Sequence, residues 1–353
     1  MLRSSSKFPI IKFTASCLAA VTLAALLGIV SSVLWGLYLS PNLSANLSTS
    51  LSTSLSTSIP SIPIDLDELQ KRLSLQEATQ KLKPRAEKRF QWATENPKRQ
   101  EKPEKTELAL VYIHGFSATS KEISPVVERV GRELNANVFF TRLSQHGGDG
   151  ENFHLITEQD LWNDAIEALT IGHRIGKKVI LIGTSTGATL GYLLAHNQFL
   201  QKNSLGVSKL VMLSPNFGLR DKSSFLLIGP LGPFIARAVV GQYYTWKPMN
   251  PGQELWWNTR YRSEGLAAMM NLVSQSWRIP ADQITIPCLA IFPRADEVVD
   301  MTSSLEVVKK IPRAQIKTLD INQHVLTGEI VAPSTVDTAV QLISEFAKKN
   351  NSL

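Results

Sequence analysis

The sequence predicts an α/β fold: a mostly parallel, doubly wound sheet with a cap insertion, preceded by an N-terminal transmembrane helix. Three observations lead there. Residues 177–194, KKVILIGTSTGATLGYLL, read as a buried strand, a very sharp turn and a helix. From residue 86 onward, short apolar strands alternate with helical segments, the pattern of a parallel sheet covered on both faces. Residues 13–39 carry no charged side chain and are rich in Leu, Ala, Val and Ile.

The amino-terminal end reads as four pieces. Residues 1–12 form a basic tail with Arg3, Lys7 and Lys12 and no acid. As a helix, residues 13–39 would be about 40 Å long against about 30 Å of hydrocarbon. That exceeds the apolar core of a signal peptide, about 7–15 residues, and no good small-x-small cleavage site follows directly. The reading is a retained single-pass anchor, with a cleaved signal as the alternative. Basic residues before the span and none between it and Lys71 put the tail in the cytoplasm and the rest on the non-cytoplasmic side. Residues 40–64, with LSTS repeated and then IPSIPI, lack charge and a helical stripe and read as a Ser/Thr/Pro-rich linker. Residues 65–84 are amphipathic: Leu66, Leu69 and Leu73 fall at helical spacing behind Asp65, Asp67 and Glu68.

The chain has a net charge of +7, but residues 107–353 contribute 23 basic and 22 acidic side chains. The main domain is therefore nearly neutral, which argues against a nucleic-acid partner and allows weak attraction to an anionic lipid surface. The two cysteines, Cys17 in the apolar span and Cys288 in a strand-like run, cannot pair, so no disulfide framework is expected.

Residues 85–353 form the main domain. Strands are expected at 86–93, 107–113, 136–143, 179–182, 207–213, 285–292 and 315–319, with helices at 120–135, 158–175, 188–195 and 336–349. Within 183–187, Gly-Thr-Ser-Thr-Gly has the Gly-x-Ser-x-Gly spacing of a nucleophile elbow. Turning from strand to helix within one residue forces Ser185 into a strained backbone conformation. Side chains two positions away would collide, so Gly183 and Gly187 flank it. The hydroxyl then stands at the strand's carboxyl end, with the Thr186 N–H at the mouth of a helix dipole. Ligands of such sheets bind beyond the carboxyl ends of the strands.

Those ends supply the partners. PRADEVVD follows the strand at 285–292, and DINQH follows the strand at 315–319. The resulting order Ser185, Asp296, His324 is the one expected with this elbow. A serine hydroxyl needs a base within hydrogen-bond reach, and that base needs an anion on its other nitrogen. Asp300 is the rival acid and reads better as a helix-start residue; Asp320 lies too near His324 in sequence. No dinucleotide fingerprint and no metal-ligand cluster is present, and Asp149, Gly150 and Glu151 are too little for a calcium loop. No cofactor is expected.

HGF at 114–116, RLSQHG at 142–147, GTSTG at 183–187, ADEVV at 295–299 and QHVL at 323–326 together resemble the α/β-hydrolase superfamily. The similarity is to the serine hydrolase branch of monoacylglycerol lipases, carboxylesterases and related serine peptidases. The resemblance implies Ser185, Asp296 and His324 as the catalytic set and the backbone N–H groups of Phe116 and Thr186 as the oxyanion hole. It implies a brace role for His114, a structural role for His146, and a cap over the site at about 216–262. Thr184, where many lipases of the branch carry His, and Ala188, where a further Gly is common, depart from the pattern. In the cap, SSFLLIGPLGPFIARAVVG is apolar and broken by Gly and Pro. It reads either as a mobile lid for an acyl chain or as residues packing on the domain itself. His154, His173 and His196 have no partner spacing. The expectation is a membrane-anchored serine hydrolase of carboxylic esters, with a small-molecule ester or lipid as substrate. A peptidase, amidase or acyltransferase on the same residues, and an inactive interaction module, are the alternatives.

Overall fold

The computed structural model describes residues 55–93 and 102–349. The tail, the 13–39 span and the linker as far as residue 54 lie outside the described residues. Among the described residues, no helix is long and apolar enough to cross a membrane. The chain divides into two units, Met1–Ser56 and Thr57–Leu353, and the second holds the sheet.

Among the described residues there are nine strands, β1 (Arg89–Gln91), β2 (Thr106–Ile113), β3 (Asn137–Phe140), β4 (Gly176–Thr184), β5 (Lys209–Leu213), β6 (Tyr243–Thr245), β7 (Arg260–Arg262), β8 (Cys288–Pro293) and β9 (Ala314–Leu319). Seven form one sheet in the order β1-β3-β2-β4-β5-β8-β9, parallel throughout except for the edge strand β1. The helices are α1 (Leu66–Ala78), α2 (Val126–Glu133), α3 (Glu158–Ile175), α4 (Thr186–His196), α5 (Gln198–Lys202), α6 (Gly232–Val239), α7 (Pro251–Trp256), α8 (Gly265–Ser276), α9 (Met301–Lys309) and α10 (Val336–Lys348).

Strand side chains alternate in direction, so each central strand feeds two cores. Leu110, Tyr112, Val138, Ile180, Ile182 and Val211 lie on one face with Val126, Val127 and Val130 of α2 and Ala339, Val340 and Ile343 of α10. Val111, Val179, Leu181 and Leu210 are buried on the other. There α3 comes close because Gly172 has no side chain: a Cβ would lie 2.6 Å from the Val111 side chain. Burial on both faces explains why these strands read as continuous apolar runs.

The helix expected at 120–135 is split. A 3-10 turn, Ser120–Ile123, ends before Pro125, and α2 begins after it. Proline lacks the N–H a continuous helix needs and disfavours helical backbone in the residue before it. The first strand is shorter than the 86–93 reading. Helix α1 belongs to the same unit as the sheet. It starts at an Asp65 cap, buries Leu69 and Leu73, and presents Glu77 to Arg142, whose Nε and Nη2 donate at 2.7 and 2.8 Å.

The segment after β5 holds a 3-10 turn (Lys222–Leu227), α6, the antiparallel pair β6–β7 and α7 between them. Its two halves pack differently. Phe225, Leu231 and Phe234 are 60, 65 and 71% exposed, whereas Trp257 and Tyr261 are 3 and 4% exposed. The segment expected to form a cap thus has an exposed outer half and a buried inner half.

Candidate active site

The elbow is built as its crowding requires. Ser185 follows β4 with φ 53° and ψ −114° and opens α4. This is a positive φ in a residue with a side chain, a conformation that survives only when its surroundings over-determine it. Here they do. The Ser185 N–H donates to the Leu213 carbonyl at 2.9 Å, and its own carbonyl accepts from Ala188, Thr189 and Asn216. A Cβ on Gly187 would lie 2.6 Å from the carbonyl carbon of Ile113, and one on Gly183 would lie 2.6 Å from the Ala188 nitrogen. Neither position has room for alanine.

His324 and Asp296 come together from the ends of β9 and β8. The His324 Nδ1 is 2.7 Å from Asp296 Oδ2. Asp296 Oδ1 accepts the amides of Val298 and Val299 at 2.8 and 2.9 Å, which fixes the carboxylate. Burial pushes the Asp296 carboxyl up, but His324 and the two amides outweigh it, and the net shift is downward. Burial pushes the His324 imidazole down, yet the charges of Asp296 and Glu122 outweigh it and the net shift is upward. With Nδ1–H donating to Asp296, Nε2 is left as the free basic atom. The Ser214 hydroxyl donates to the His324 carbonyl at 2.6 Å, while Leu213 and Asn216 bond the Ser185 backbone. Ser185 and His324 therefore hang on one short segment at the end of β5. Among the described residues, no hydrogen bond joins Ser185 Oγ to His324 Nε2.

The other acids are elsewhere. Asp300 caps α9 through the Thr302 amide and pairs with Lys222. Asp320 pairs with Arg294 at 2.9 Å on the surface. Among the described residues, neither hydrogen-bonds to His324.

The Phe116 and Thr186 N–H groups donate to no protein acceptor among the described residues. Phe116 is held from its ring side, edge-on to His146, Phe153 and Tyr261 at 5.1, 5.4 and 5.7 Å. The Asn258 amide ties the buried cap half to the Ser117 carbonyl at 2.7 Å. His114 sits beneath. Its Nε2 accepts the Leu143 amide at 3.1 Å, so Nδ1–H donates to the Gly115 carbonyl at 2.8 Å. Burial pushes its pKa down to about 4, so it is a neutral brace. His146 is likewise buried and shifted well down by burial. His154, His173 and His196 bond Glu151, Gly206 and Gln283, away from the elbow. No group of three possible metal-binding side chains occurs among the described residues.

One residue of this neighbourhood escaped the sequence reading. Glu122 is 1% exposed, and its Oε1 accepts from Tyr112 Oη and from the Gly115 N–H, both at 2.6 Å. No local signal marks a glutamate on a 3-10 turn; a buried charge becomes visible only when the turn is folded onto β2.

The chain matches the family described as "Alpha/beta hydrolase family" over residues 110–328. Solved structures agree on the fold. One of the metagenome-derived lipolytic enzymes LipS and LipT is 14% identical, with a TM-score of 0.60 over 76% of this chain and 100% of its own. The monoacylglycerol lipase of Paleococcus ferrophilus is 14% identical, with a TM-score of 0.52 over 69% of this chain and 95% of its own. A soluble variant of the monoglyceride lipase of Saccharomyces cerevisiae is 13% identical, with a TM-score of 0.50 over 73 and 90%. A search of curated proteins found no match to this sequence. The family match spans more than half of the chain, from the middle of β2 through the elbow to His324, and the protein belongs to the alpha/beta hydrolase family.

Proposed function

We propose that this protein is a serine hydrolase that cleaves carboxylic esters of apolar acids through an acyl-enzyme, held at a membrane by residues 13–39. The observation that carries the reading is the convergence at the strand ends. A strained serine, an imidazole oriented by a buried carboxylate and two unpaired N–H groups meet there. The reading requires Ser185 Oγ to bond His324 Nε2 in the substrate complex. Serine bonds of this kind often tighten only when substrate arrives.

In the reaction, Ser185 Oγ attacks the ester carbonyl and its proton passes to His324 Nε2. The carbonyl oxygen becomes an oxyanion and takes the Phe116 and Thr186 N–H groups. Asp296 holds the imidazolium without taking its proton. Collapse expels the alcohol, which leaves with the proton from His324, and the acyl group stays on Ser185. Water repeats the sequence and releases the acid.

Lipid or long-acyl esters are favoured by the cap. Its outer half exposes Phe225, Leu231 and Phe234. A groove of about 280 Å³ runs beside it, its apolar lining from Phe217, Leu219, Phe225, Met270 and Trp277 and its polar rim from Lys222, Ser303, Glu306 and Lys310. Phe217 of that lining follows Asn216, whose amide bonds the Ser185 carbonyl. A membrane tether would bring this face to its substrate.

A fluorophosphonate probe tests the class. Labelling of the wild type and none of Ser185→Ala is expected. A folded wild type that takes no label and hydrolyses no ester marks an inactive interaction module. Faster turnover of amides than of matched esters marks the peptidase or amidase reading. Carbonate washing tests the tether: the full-length chain should stay with membranes, and mature protein beginning near residue 40 would mean a cleaved signal.

A further inference from the structure

A buried polar chain runs behind the two arms of the oxyanion site. Glu122 Oε1 takes the Gly115 N–H and the Tyr112 hydroxyl proton, both at 2.6 Å. With its one hydroxyl hydrogen donated in the bond to Glu122, Tyr112 Oη accepts from the Thr184 hydroxyl at 2.9 Å. Thr184 precedes Ser185 and Gly115 precedes Phe116. One carboxylate is therefore connected by one bond to Gly115, beside the Phe116 donor, and by two bonds to Thr184, beside the Ser185 nucleophile. The second oxygen is not used in this way. Oε2 has no hydrogen-bond partner among the described residues. A Cβ on Gly115 would lie 3.2 Å from it and 3.4 Å from Ser185 Cβ, so Oε2 and the serine flank the same point.

We propose that Glu122 is a positioning residue of this site: Oε1 holds the Gly115 arm against the elbow, and Oε2 sets a second carboxyl group facing Ser185, in electrostatic reach of His324. The inference rests on the serine hydrolase reading of the same residues.

The charge on Glu122 matters at working pH. Burial raises its carboxyl to about 7, against the Tyr112 and Gly115 bonds and the His324 charge, which lower it. The charged groups around it are few. Tyr112 faces it from β2 and His324 from the loop after β9. Glu128 of α2 acts on Tyr112, and Lys121, on the same turn, feels Arg85, Arg89, Glu128 and Glu329. When ionised, Glu122 raises the basicity of His324, so it strengthens the general base and stabilises the imidazolium formed in the transition state.

Glu122→Gln tests this, because the amide oxygen can still accept from Gly115 and Tyr112 while the charge is gone. The readouts are fluorophosphonate labelling and pH profiles of p-nitrophenyl butyrate hydrolysis by the full-length chain. The expected result is a kcat about tenfold lower, KM within about twofold, and an acid limb of kcat/KM moved several tenths of a pH unit downward, since His324 loses a neighbouring anion. Tyr112→Phe keeps the carboxylate but removes a bond that favours its ionised form. Its limb should move the same way by less, and it decides the matter if Glu122→Gln does not fold. A fall in kcat with an unmoved limb in the folded variants, or wild-type kinetics in both, overturns the proposal. A wild type that neither labels nor hydrolyses overturns the serine hydrolase reading instead.

Discussion

The strand ends that carry the site and the outer half of the cap are built on opposite terms. At the elbow there is room for glycine alone: the space a side chain on Gly187 would need is filled by the backbone of Ile113 and His114. In the outer cap, a side chain added at Gly229 or Gly241 would meet nothing within 4 Å. The site wall is held by paired polar groups, such as Asp296 with His324, Val298 and Val299. The outer cap is a run of apolar side chains, more than half exposed at Phe225, Leu231 and Phe234. The inner cap half sides with the wall, since Trp257 and Tyr261 are buried and Asn258 bonds Ser117. The geometry of the strand ends is over-determined, whereas the outer segment is loosely held.

The sharpest break of that contrast is at the acid. Asp296→Asn should cut turnover by about 10⁴-fold with the fold intact, because the imidazole loses the anion that sets its tautomer. Asp300→Asn should cost far less, since Asp300 caps α9. Steady-state kinetics of both variants, with circular dichroism, measure this. The reverse ranking would put the wrong carboxylate on His324.

Next comes packing. Trp257→Ala empties a buried position in the inner cap half and should destabilise by about 3–5 kcal/mol. Phe234→Ser, at an exposed position, should leave Tm within a few degrees. Equal losses in calorimetry would erase the distinction between the cap halves.

The pH response follows from the shifts at the pair. In the proposed reaction His324 is neutral when it accepts the serine proton, and its pKa is raised above the ordinary 6.5. The rate should therefore fall as pH drops through an inflection above that value. Stability moves the other way. A raised imidazole stabilises the fold fully below about 6.5 and loses that contribution as pH rises through the folded value. Asp296, shifted down, contributes above the ordinary 3.8 and loses it only as pH falls through its lower folded value. Thermal melts of Asp296→Asn should consequently show a larger loss at pH 5 than at pH 9.

The smallest effect belongs to the outer cap. Phe225→Ser with Phe234→Ser should raise KM for long-chain esters roughly tenfold more than for acetate esters, because two or three methylenes lose contacts worth about 0.8 kcal/mol each. Equal effects on short and long esters, with early melting, would make this segment ordinary core.

Much of this was legible in the chain before folding. Continuous apolar runs such as VILI at 179–182 marked strands buried on both faces, and the helix at 158–175 was readable to its ends. The Gly-x-Ser-x-Gly spacing announced its own crowding, because glycine two residues either side of a strained serine is a local steric requirement. The acid and the histidine were legible as residues at strand ends. Which carboxylate meets His324 depended on the parallel registry of β8 beside β9, a contact between segments 28 residues apart. Tertiary structure alone decided the split of the cap, because the same apolar composition is buried or exposed according to what lies opposite. It alone decided Glu122 as well. A glutamate at a surface-like position in the sequence becomes a buried acid only when its turn closes over β2, where its energy is set by neighbours that sequence distance does not reveal.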